Sequence, residues 1–283
     1  MSDPWIGITL VLATFAALFA IFSLIGPLLP AEVLRKSLHI TMGLTTLSFP
    51  WLFQSKWPVI LVVSLCTLAF IALHAGMPML RRLRQALSRV KRASVGEFCF
   101  VAATAIVFLL ASRDPVLYCI PLLLLTLADA AAALVGTTFG RHRFTTMWDY
   151  KSVEGSAAFF VTALACIAVP LVWFTPATPM EAIAVAVLIA LATTVLEAAI
   201  GGGFDNLLVP LGALAAIKAT GLTERRPDAL ESGSPIVVAA LALALALLVL
   251  LIVALATWKG GGARLRLRES LNKSHVERGR PKT

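Results

Sequence analysis

Charged side chains are scarce in this sequence. They make up 14% of its 283 residues, whereas hydrophobic residues make up 59%. Soluble domains carry about 25% charged residues, so a chain with so little charge has too few polar side chains to cover a water-exposed surface. The composition excludes an ordinary soluble domain and predicts an all-α, polytopic integral membrane protein.

Cysteine is also sparse, and its spacing argues against a covalent or metal framework. The four cysteines lie in or beside apolar runs, and no two of them form a CxxC pair. Such residues are best explained as small hydrophobic side chains packed between helices. Basic residues are absent before the first apolar run, which begins at Trp5 and is long enough to span a membrane, so we expect a retained helix and not a cleaved signal peptide.

Uncharged runs of about twenty residues mark the predicted membrane helices. Nine such runs are present, or eight crossings if the short run that contains Pro210 is broken or re-entrant. Their approximate bounds are 5–29, 38–53, 57–75, 96–112, 116–138, 156–174, 182–200, 206–219 and 236–257.

The net charge of +9 comes from basic residues that cluster between these runs. Clusters at 81–92, 141–151 and 264–273 alternate with loops that are poor in Lys and Arg, which predicts an outside N-terminus and a cytoplasmic C-terminus. Nucleic acid is therefore not an expected partner, whereas anionic lipid is. We expect 81–97 to form an amphipathic interfacial helix, 1–258 a membrane catalytic domain, and 259–283 a flexible basic cytoplasmic tail.

Asp129 interrupts an apolar run, where a carboxylate costs roughly 2.5–3.5 kcal/mol and needs a partner or a function. It begins a helical stripe of small residues that includes Gly136 and Gly140. That stripe has an alternative explanation as a helix-packing motif, but packing alone does not explain the acid. A carboxylate, small residues and nearby cations suit a metal-bound polyphosphate. The polar residues that come after the stripe are Arg141, His142, Arg143, Lys151, Glu154, Gly155 and Ser156.

Two further polar groups are expected near the same membrane face. Arg35, Lys36 and His39 precede or begin the second run, and position alone favours a simple basic anchor there. Glu197 and Asp205 flank a triglycine turn whose amides could face an anion, although a plain helix connection explains it equally well. Asp205 is expected as the N-cap of the following helix. Glu97 also enters an apolar run and needs a partner.

The order of these motifs resembles the dolichol kinase/phytol kinase family over about residues 32–211. The similarity is carried by D-x₆-G-x₃-G, K-S-x-E-G-S and D-N-L-x-V-P-L, which begin at Asp129, Lys151 and Asp205. Members of that family are integral membrane enzymes that phosphorylate a lipid alcohol, commonly with CTP. The oligomeric state is left open by the sequence.

The resemblance implies a role for each matching residue. Asp129, Asp205 and Glu197 would bind Mg²⁺, and Lys151, Arg141 and Arg143 would bind phosphate. One carboxylate or His39 would act as the base. The remaining predicted contacts with the nucleotide are Gly136, Gly140, Glu154, Gly155, Ser156, Asn206, Arg35 and Lys36. The active site would face the cytoplasm, in the inner membrane if the chain is bacterial.

Two alternatives remain open at this point. CDP-diacylglycerol synthase has similar Asp, Gly-rich and Lys-x-x-Glu-Gly segments, but its later acidic signature is replaced here by DNLLVPL, which favours a kinase. An ion-coupled transporter would explain intramembrane acids, yet the sequence shows no internal repeat and its acids lie toward one face.

Overall fold

Helices form nearly all of the regular structure in the computed structural model, which describes residues 3–25, 29–75, 95–111 and 114–223. The central helix is continuous through three segments, of which the middle one is a π-helix. The helical elements are α1 (Pro4–Ile25), α2 (Ala31–Thr46), α3 (Phe49–Leu52), α4 (Trp57–His74), α5 (Gly96–Leu110), α6 (Pro115–Leu123), the π-helix (Leu124–Ala128), α7 (Asp129–Phe139), α8 (Val153–Phe174), α9 (Pro179–Ala199) and α10 (Asp205–Thr220).

Five of these helical stretches are long and apolar enough to cross a membrane: Pro4–Leu24, Trp57–His74, Pro115–Phe139, Val153–Phe174 and Pro179–Ala199. The helices α2, α5 and α10 have 16, 15 and 16 residues. At 1.5 Å per residue they reach about 24 Å, less than the roughly 30 Å hydrocarbon layer. The total of eight or nine spans and the orientation of the termini therefore stay predictions. Residues 81–94 of the predicted interfacial helix, the run 236–257 and the tail 259–283 lie outside the described residues.

The predicted bounds of the second helix are wrong, and so is the suggested break at Pro210. The second helix begins at Ala31 and ends at Thr46, not at 38 and 53, because its charged residues lie inside the helix and not before it. Pro210 does not break α10, which continues from Asp205 to Thr220. Pro210 is the sixth residue of α10, so its missing N–H removes one backbone hydrogen bond without ending the helix.

The central helix, from α6 to α7, is buried along most of its length. A helix that is apolar on all sides is stable only when other helices surround it. Asp114 caps its start, since one carboxylate oxygen accepts from the Val116 and Leu117 amides at 2.8 and 3.2 Å. Around it pack α2, α8 and α10.

A short β-hairpin, Arg143–Thr145 (β1) and Tyr150–Ser152 (β2), joins α7 to α8 and corrects the all-α prediction for this segment. The strands are antiparallel, with Phe144 opposite Lys151. The Thr146 hydroxyl closes the tip by accepting from the Asp149 amide at 2.9 Å. The tip lies on the triglycine turn (Gly201–Gly203), so the hairpin covers the end of α9 and the start of α10.

Glycines allow two close helix contacts beneath this region. A Cβ on Gly155 would lie 2.8 Å from the Ala132 carbonyl oxygen and 3.2 Å from the Gly136 Cα. The helices α7 and α8 can therefore approach until their backbones touch. A Cβ on Gly43 would likewise overlap Thr126 of the π-helix, so α2 lies directly against the central helix.

Candidate active site

Lys36 and Asp129 form a buried ion pair between α2 and α7. The Lys36 ammonium lies 2.5 Å from one Asp129 carboxylate oxygen, and their side chains are only 2% and 14% exposed. The close contact at Gly43 holds α2 near enough to make this pair. Asp129 thus has the partner that a carboxylate in an apolar helix requires. We call Lys36, His39 and Asp129 the Lys36 centre.

His39 completes the Lys36 centre and contacts the π-helix. Its Nε2 lies 2.7 Å from the Leu125 carbonyl oxygen and 3.4 Å from the Asp129 carboxylate. A carbonyl oxygen only accepts, so Nε2 carries the proton and Nδ1 of the neutral ring is left as the acceptor. The ring also packs edge-on against Phe100, with centroids 4.8 Å apart. These contacts fix the orientation of a potential base.

Lys151, Glu197 and Asp205 form a second centre, which we call the Lys151 centre. The ammonium lies 2.6 Å from the Glu197 carboxylate and 3.0 Å from that of Asp205, and it also donates to the Glu197 backbone carbonyl. A lysine has three N–H donors, and all three have acceptors here. Burial on its own would lower the pKa of Lys151, but Asp205 and Glu197 outweigh burial and raise it. Lys151 is therefore a firmly held cation.

The two centres are within electrostatic range of each other. Glu197 interacts electrostatically with Asp129 as well as with Asp205. Together the centres contain three carboxylates and two ammonium groups, which leaves one negative charge in excess. The excess belongs to the Lys151 centre, where one cation faces two acids.

The other predicted phosphate-binding cations do not join Lys151 in one cluster. Arg143 lies opposite Ser152 in the hairpin, and neighbouring strand residues point to opposite faces, so Arg143 and Lys151 face different sides. Arg141 and Arg143 are exposed, and neither guanidinium forms an ion pair with another described residue. Arg35 pairs with Glu32 on its own helix at 2.5 Å.

Several residues that are predicted to contact the nucleotide have partners within the fold. Asn206 donates to the Gly96 carbonyl at 3.0 Å and so fixes the start of α5. Gly136 and Gly140 lie close to the Ser152 side chain, which accepts from the Gly155 amide at 3.1 Å and caps α8. A role for these residues in nucleotide binding stays a prediction.

The polar residues at the starts of α8 and α10 are also held within the fold. Glu154 accepts from His142 at 2.8 Å, and Ser156 lies 3.5 Å from the Glu197 carboxylate. Asp205 is not the N-cap of α10, because Phe204 occupies that position. Asp205 instead lies in the first turn, where its carboxylate faces Lys151.

Mg²⁺ chemistry agrees with the side chains present, although they do not form a complete ligand set. No group of three His, Cys, Asp or Glu side chains in the described parts of the chain is arranged to hold a metal. Mg²⁺ at nucleotide sites commonly takes only one or two carboxylates, with phosphate oxygens and water as its other ligands. Asp129, Glu197 and Asp205 provide carboxylates of that kind.

Sequence reasoning identified Asp129 as a residue in need of a partner but did not pair it with Lys36, which lies 93 positions earlier. It also missed the π-helix, since no side-chain pattern marks it. The hairpin did have a weak signal: the β-prone residues Phe144 and Thr145 precede a turn and Tyr150 follows it. Glu97 has His74 as its nearest ionisable partner in the described structure, at 3.8 Å.

The chain is similar to the phytol kinase of Synechocystis sp., with 30% identity over 212 residues, which covers 74% of this chain and 88% of that protein. No family model matches the chain, and no solved structure matches it significantly. The similarity to a kinase agrees with the order of the D-x₆-G-x₃-G, K-S-x-E-G-S and D-N-L-x-V-P-L motifs, whose charged residues the fold gathers into the two centres. This chain belongs to the phytol kinase family.

Proposed function

We propose that the protein is a lipid-alcohol kinase that transfers the γ-phosphoryl group of CTP to a prenyl-type alcohol such as phytol. The observation that carries this proposal is the pair of charged centres, Lys36 with Asp129 and Lys151 with Glu197 and Asp205, that the fold holds among apolar helices. Phosphoryl transfer depends chiefly on positioned charge, and such a cluster supplies it. The phytol kinase relative supports an alcohol as the acceptor.

His39 is the proposed base. The alcohol oxygen attacks the γ-phosphorus, the bond from that phosphorus to the oxygen bridging it to the β-phosphate breaks, and CDP leaves. The hydroxyl proton passes to His39 Nδ1, because Nε2 already donates to Leu125. Asp129 lies beside the ring and stabilises the imidazolium that forms, since its carboxylate is 3.4 Å from Nε2.

The nucleotide and its Mg²⁺ are proposed to bind at the carboxylates, with Asp129, Asp205 and Glu197 as the groups that would hold the ion. When bound, Mg²⁺ neutralises charge on the transferring phosphate. The Lys151 centre is the more favourable location, because its excess negative charge attracts a divalent cation. Arg141 and Arg143 are exposed on the same connection and are proposed to contact phosphates or anionic lipid headgroups.

The acceptor alcohol is proposed to approach from the lipid. Asp129 begins α7, an 11-residue helix that ends beside the hairpin, so its carboxylate lies about 16 Å along the helix axis from that end. At that depth a lipid hydroxyl meets Asp129 while its tail stays in hydrocarbon. Phosphatidate would need a further cation for its own phosphate, and both buried lysines already have carboxylate partners.

The site is proposed to face the cytoplasm, in agreement with the positive-inside distribution of the loops. A single cysteine at Met147, which is 81% exposed at the hairpin tip, tests this in a cysteine-free background. We expect a membrane-impermeant thiol reagent to label it in inverted membrane vesicles and not in intact cells. Labelling in intact cells would place the site on the other side.

Purified protein in lipid nanodiscs, given Mg²⁺ and CTP labelled at either the α or the γ position, tests the reaction itself. With a panel of prenyl alcohols and phosphatidate, we expect γ label in a prenyl phosphate and no label in CDP-diacylglycerol. Incorporation of α label into lipid, with release of pyrophosphate, would instead identify a phosphatidate cytidylyltransferase. A proton-coupled flux without any labelled lipid would identify a transporter.

A further inference from the structure

Two aromatic rings lie exposed beside the Lys151 centre. Trp148 is 63% exposed and Phe204 is 39% exposed, with ring centroids 6.3 Å apart and planes tilted by 48°. Phe204 directly precedes Asp205, and Trp148 is three residues before Lys151. The rings are therefore attached to the same two segments that carry the second charged centre.

The fold fixes the backbones that carry these rings. Gly202 has a φ of +70°, and a Cβ at that position would lie 3.0 Å from the Trp148 Cβ, so the turn passes directly against the base of the tryptophan side chain. Gly201 lies similarly close to Asp149 and Thr146. The hairpin tip and the triglycine turn thus hold the two rings as one surface.

The location of this surface argues for a ligand that comes from water. Exposed tryptophans along a membrane helix face lipid, and Trp173, 66% exposed near the end of α8, is such a residue. Trp148 instead lies on a hairpin that covers the end of α9, because Lys151 of that hairpin reaches Glu197 in the last turn of the helix. A ring above helix ends meets solutes that approach the site from outside the bundle.

We propose that Trp148 and Phe204 are the platform on which the base of the nucleoside triphosphate donor stacks. The inference rests on the proposed function, because it takes a nucleotide as the donor. Stacking on the rings would leave the phosphates to extend toward the carboxylates and toward any Mg²⁺ they hold. Because every base has a π-face, the platform supplies affinity without selecting cytosine.

Equilibrium binding of labelled CTP to the full-length protein in nanodiscs, without lipid alcohol, tests the platform directly. Stacking is worth about 1–3 kcal/mol per base, so Trp148→Ala is expected to raise the Kd for CTP by about tenfold, while Trp148→Phe stays close to wild type. Trp173→Ala is the matched control, since Trp173 is equally exposed at the other end of α8, and it is expected to leave the Kd unchanged. An unchanged Kd in Trp148→Ala overturns the proposal.

Tryptophan fluorescence separates the base from the bilayer. The difference in emission between wild type and Trp148→Phe reports Trp148, and we expect CTP to quench it and brominated phospholipid to leave it unchanged. Quenching by brominated lipid and not by CTP would assign the rings to the membrane surface and overturn the platform.

These measurements do not require phosphoryl transfer, so the two proposals can fail separately. If CTP binding depends on Trp148 but the protein phosphorylates no lipid alcohol, the platform is supported and the kinase proposal is wrong. If the protein is an active kinase whose CTP affinity is the same with and without Trp148, the kinase proposal is supported and the platform is wrong. In an active enzyme, Trp148→Ala should raise the KM for CTP and leave kcat and the KM for the alcohol unchanged.

Discussion

Lys36 and Lys151 are both buried against carboxylates, but the fold supports them differently. Lys36 pairs with one acid across two packed helices, so its charge is balanced and its position depends on close helix contact. Lys151 reaches from a hairpin to two acids at neighbouring helix ends, so one negative charge is left over. The difference fits the proposed division of roles, in which the Lys36 centre keeps a fixed geometry and the Lys151 centre attracts a cation.

Replacement of Asp129 by Asn should have the largest effect on activity. We expect turnover to fall by at least about 100-fold, because the carboxylate lies beside the proposed base. The variant should also lose stability, since Lys36 is left buried without its acid, and breaking such a pair costs about 3–5 kcal/mol. Turnover and thermal unfolding in detergent measure the two effects.

The double variant Lys36→Gln/Asp129→Asn separates these effects. It removes both charges, so its unfolding midpoint should recover toward wild type while its turnover stays low. Near-normal turnover in a folded Asp129→Asn protein would remove Asp129 from the mechanism.

Replacement of Lys151 by Met should chiefly affect stability and its dependence on Mg²⁺. Glu197 and Asp205 would face each other without a cation, and we expect the unfolding midpoint to fall by roughly 5–10 °C. Mg²⁺ should then raise the midpoint of Lys151→Met more than that of Lys36→Met, because two adjacent carboxylates bind a divalent cation better than one does. If Mg²⁺ raises the unfolding midpoints of the two variants equally, the Lys151 centre does not attract a cation more strongly than the Lys36 centre does.

Gly155→Ala should disturb the base of the hairpin and spare the pair between α2 and α7. Its Cβ would lie 2.8 Å from the Ala132 carbonyl oxygen, so we expect a loss of about 1–3 kcal/mol in the free energy of unfolding. Gly212→Ala is the control, because its Cβ would meet only the flexible end of Leu196. That variant should be neutral or up to about 1 kcal/mol more stable.

The pH dependence of the Lys151 centre is the smallest predicted effect. The folded pKa of Lys151 is raised above its unfolded value of about 10.4, so its stabilisation is complete below that value and is lost as pH rises through the folded pKa. The difference in unfolding midpoint between wild type and Lys151→Met should therefore be constant from about pH 7 to 9. A difference that shrinks within that window would show that the ammonium is not held as described.

The sequence predicted most helices but not the contacts between them. Apolar runs located α4, α6 to α7, α8 and α9 to within a few residues, because lipid and the buried core both demand apolar side chains. The start of α2 is not predicted, because charged residues mark the end of an apolar run, whereas Lys36 lies within α2 and is stabilised there by Asp129. An ion pair between residues so far apart in the chain leaves no pattern in the local sequence from which it could be predicted.

The sequence marked the charged residues of the two centres but not their arrangement, and their roles in binding and catalysis stay predictions. Asp129, Glu197, Asp205 and Lys151 were all identified, because ionisable groups in or beside apolar runs are costly without a function. Their division into two centres depends on a hairpin and on a close approach of helices. The acceptor that orients His39 is a backbone carbonyl, which every residue has, so composition cannot reveal it.

The π-helix between Leu124 and Ala128 has a consequence for how relatives of this protein are compared. A π-helix is equivalent to one extra residue accommodated within an α-helix, and its wider turn absorbs most of the roughly 100° by which an added residue would otherwise rotate the rest of the helix. The face that α6 presents and the face that carries Asp129 therefore keep nearly the relation that they would have in an uninterrupted α-helix one residue shorter. A relative with one residue fewer in this segment would have an uninterrupted helix whose acid still faces α2, so alignments here should place any gap within 124–128 and not after Asp129.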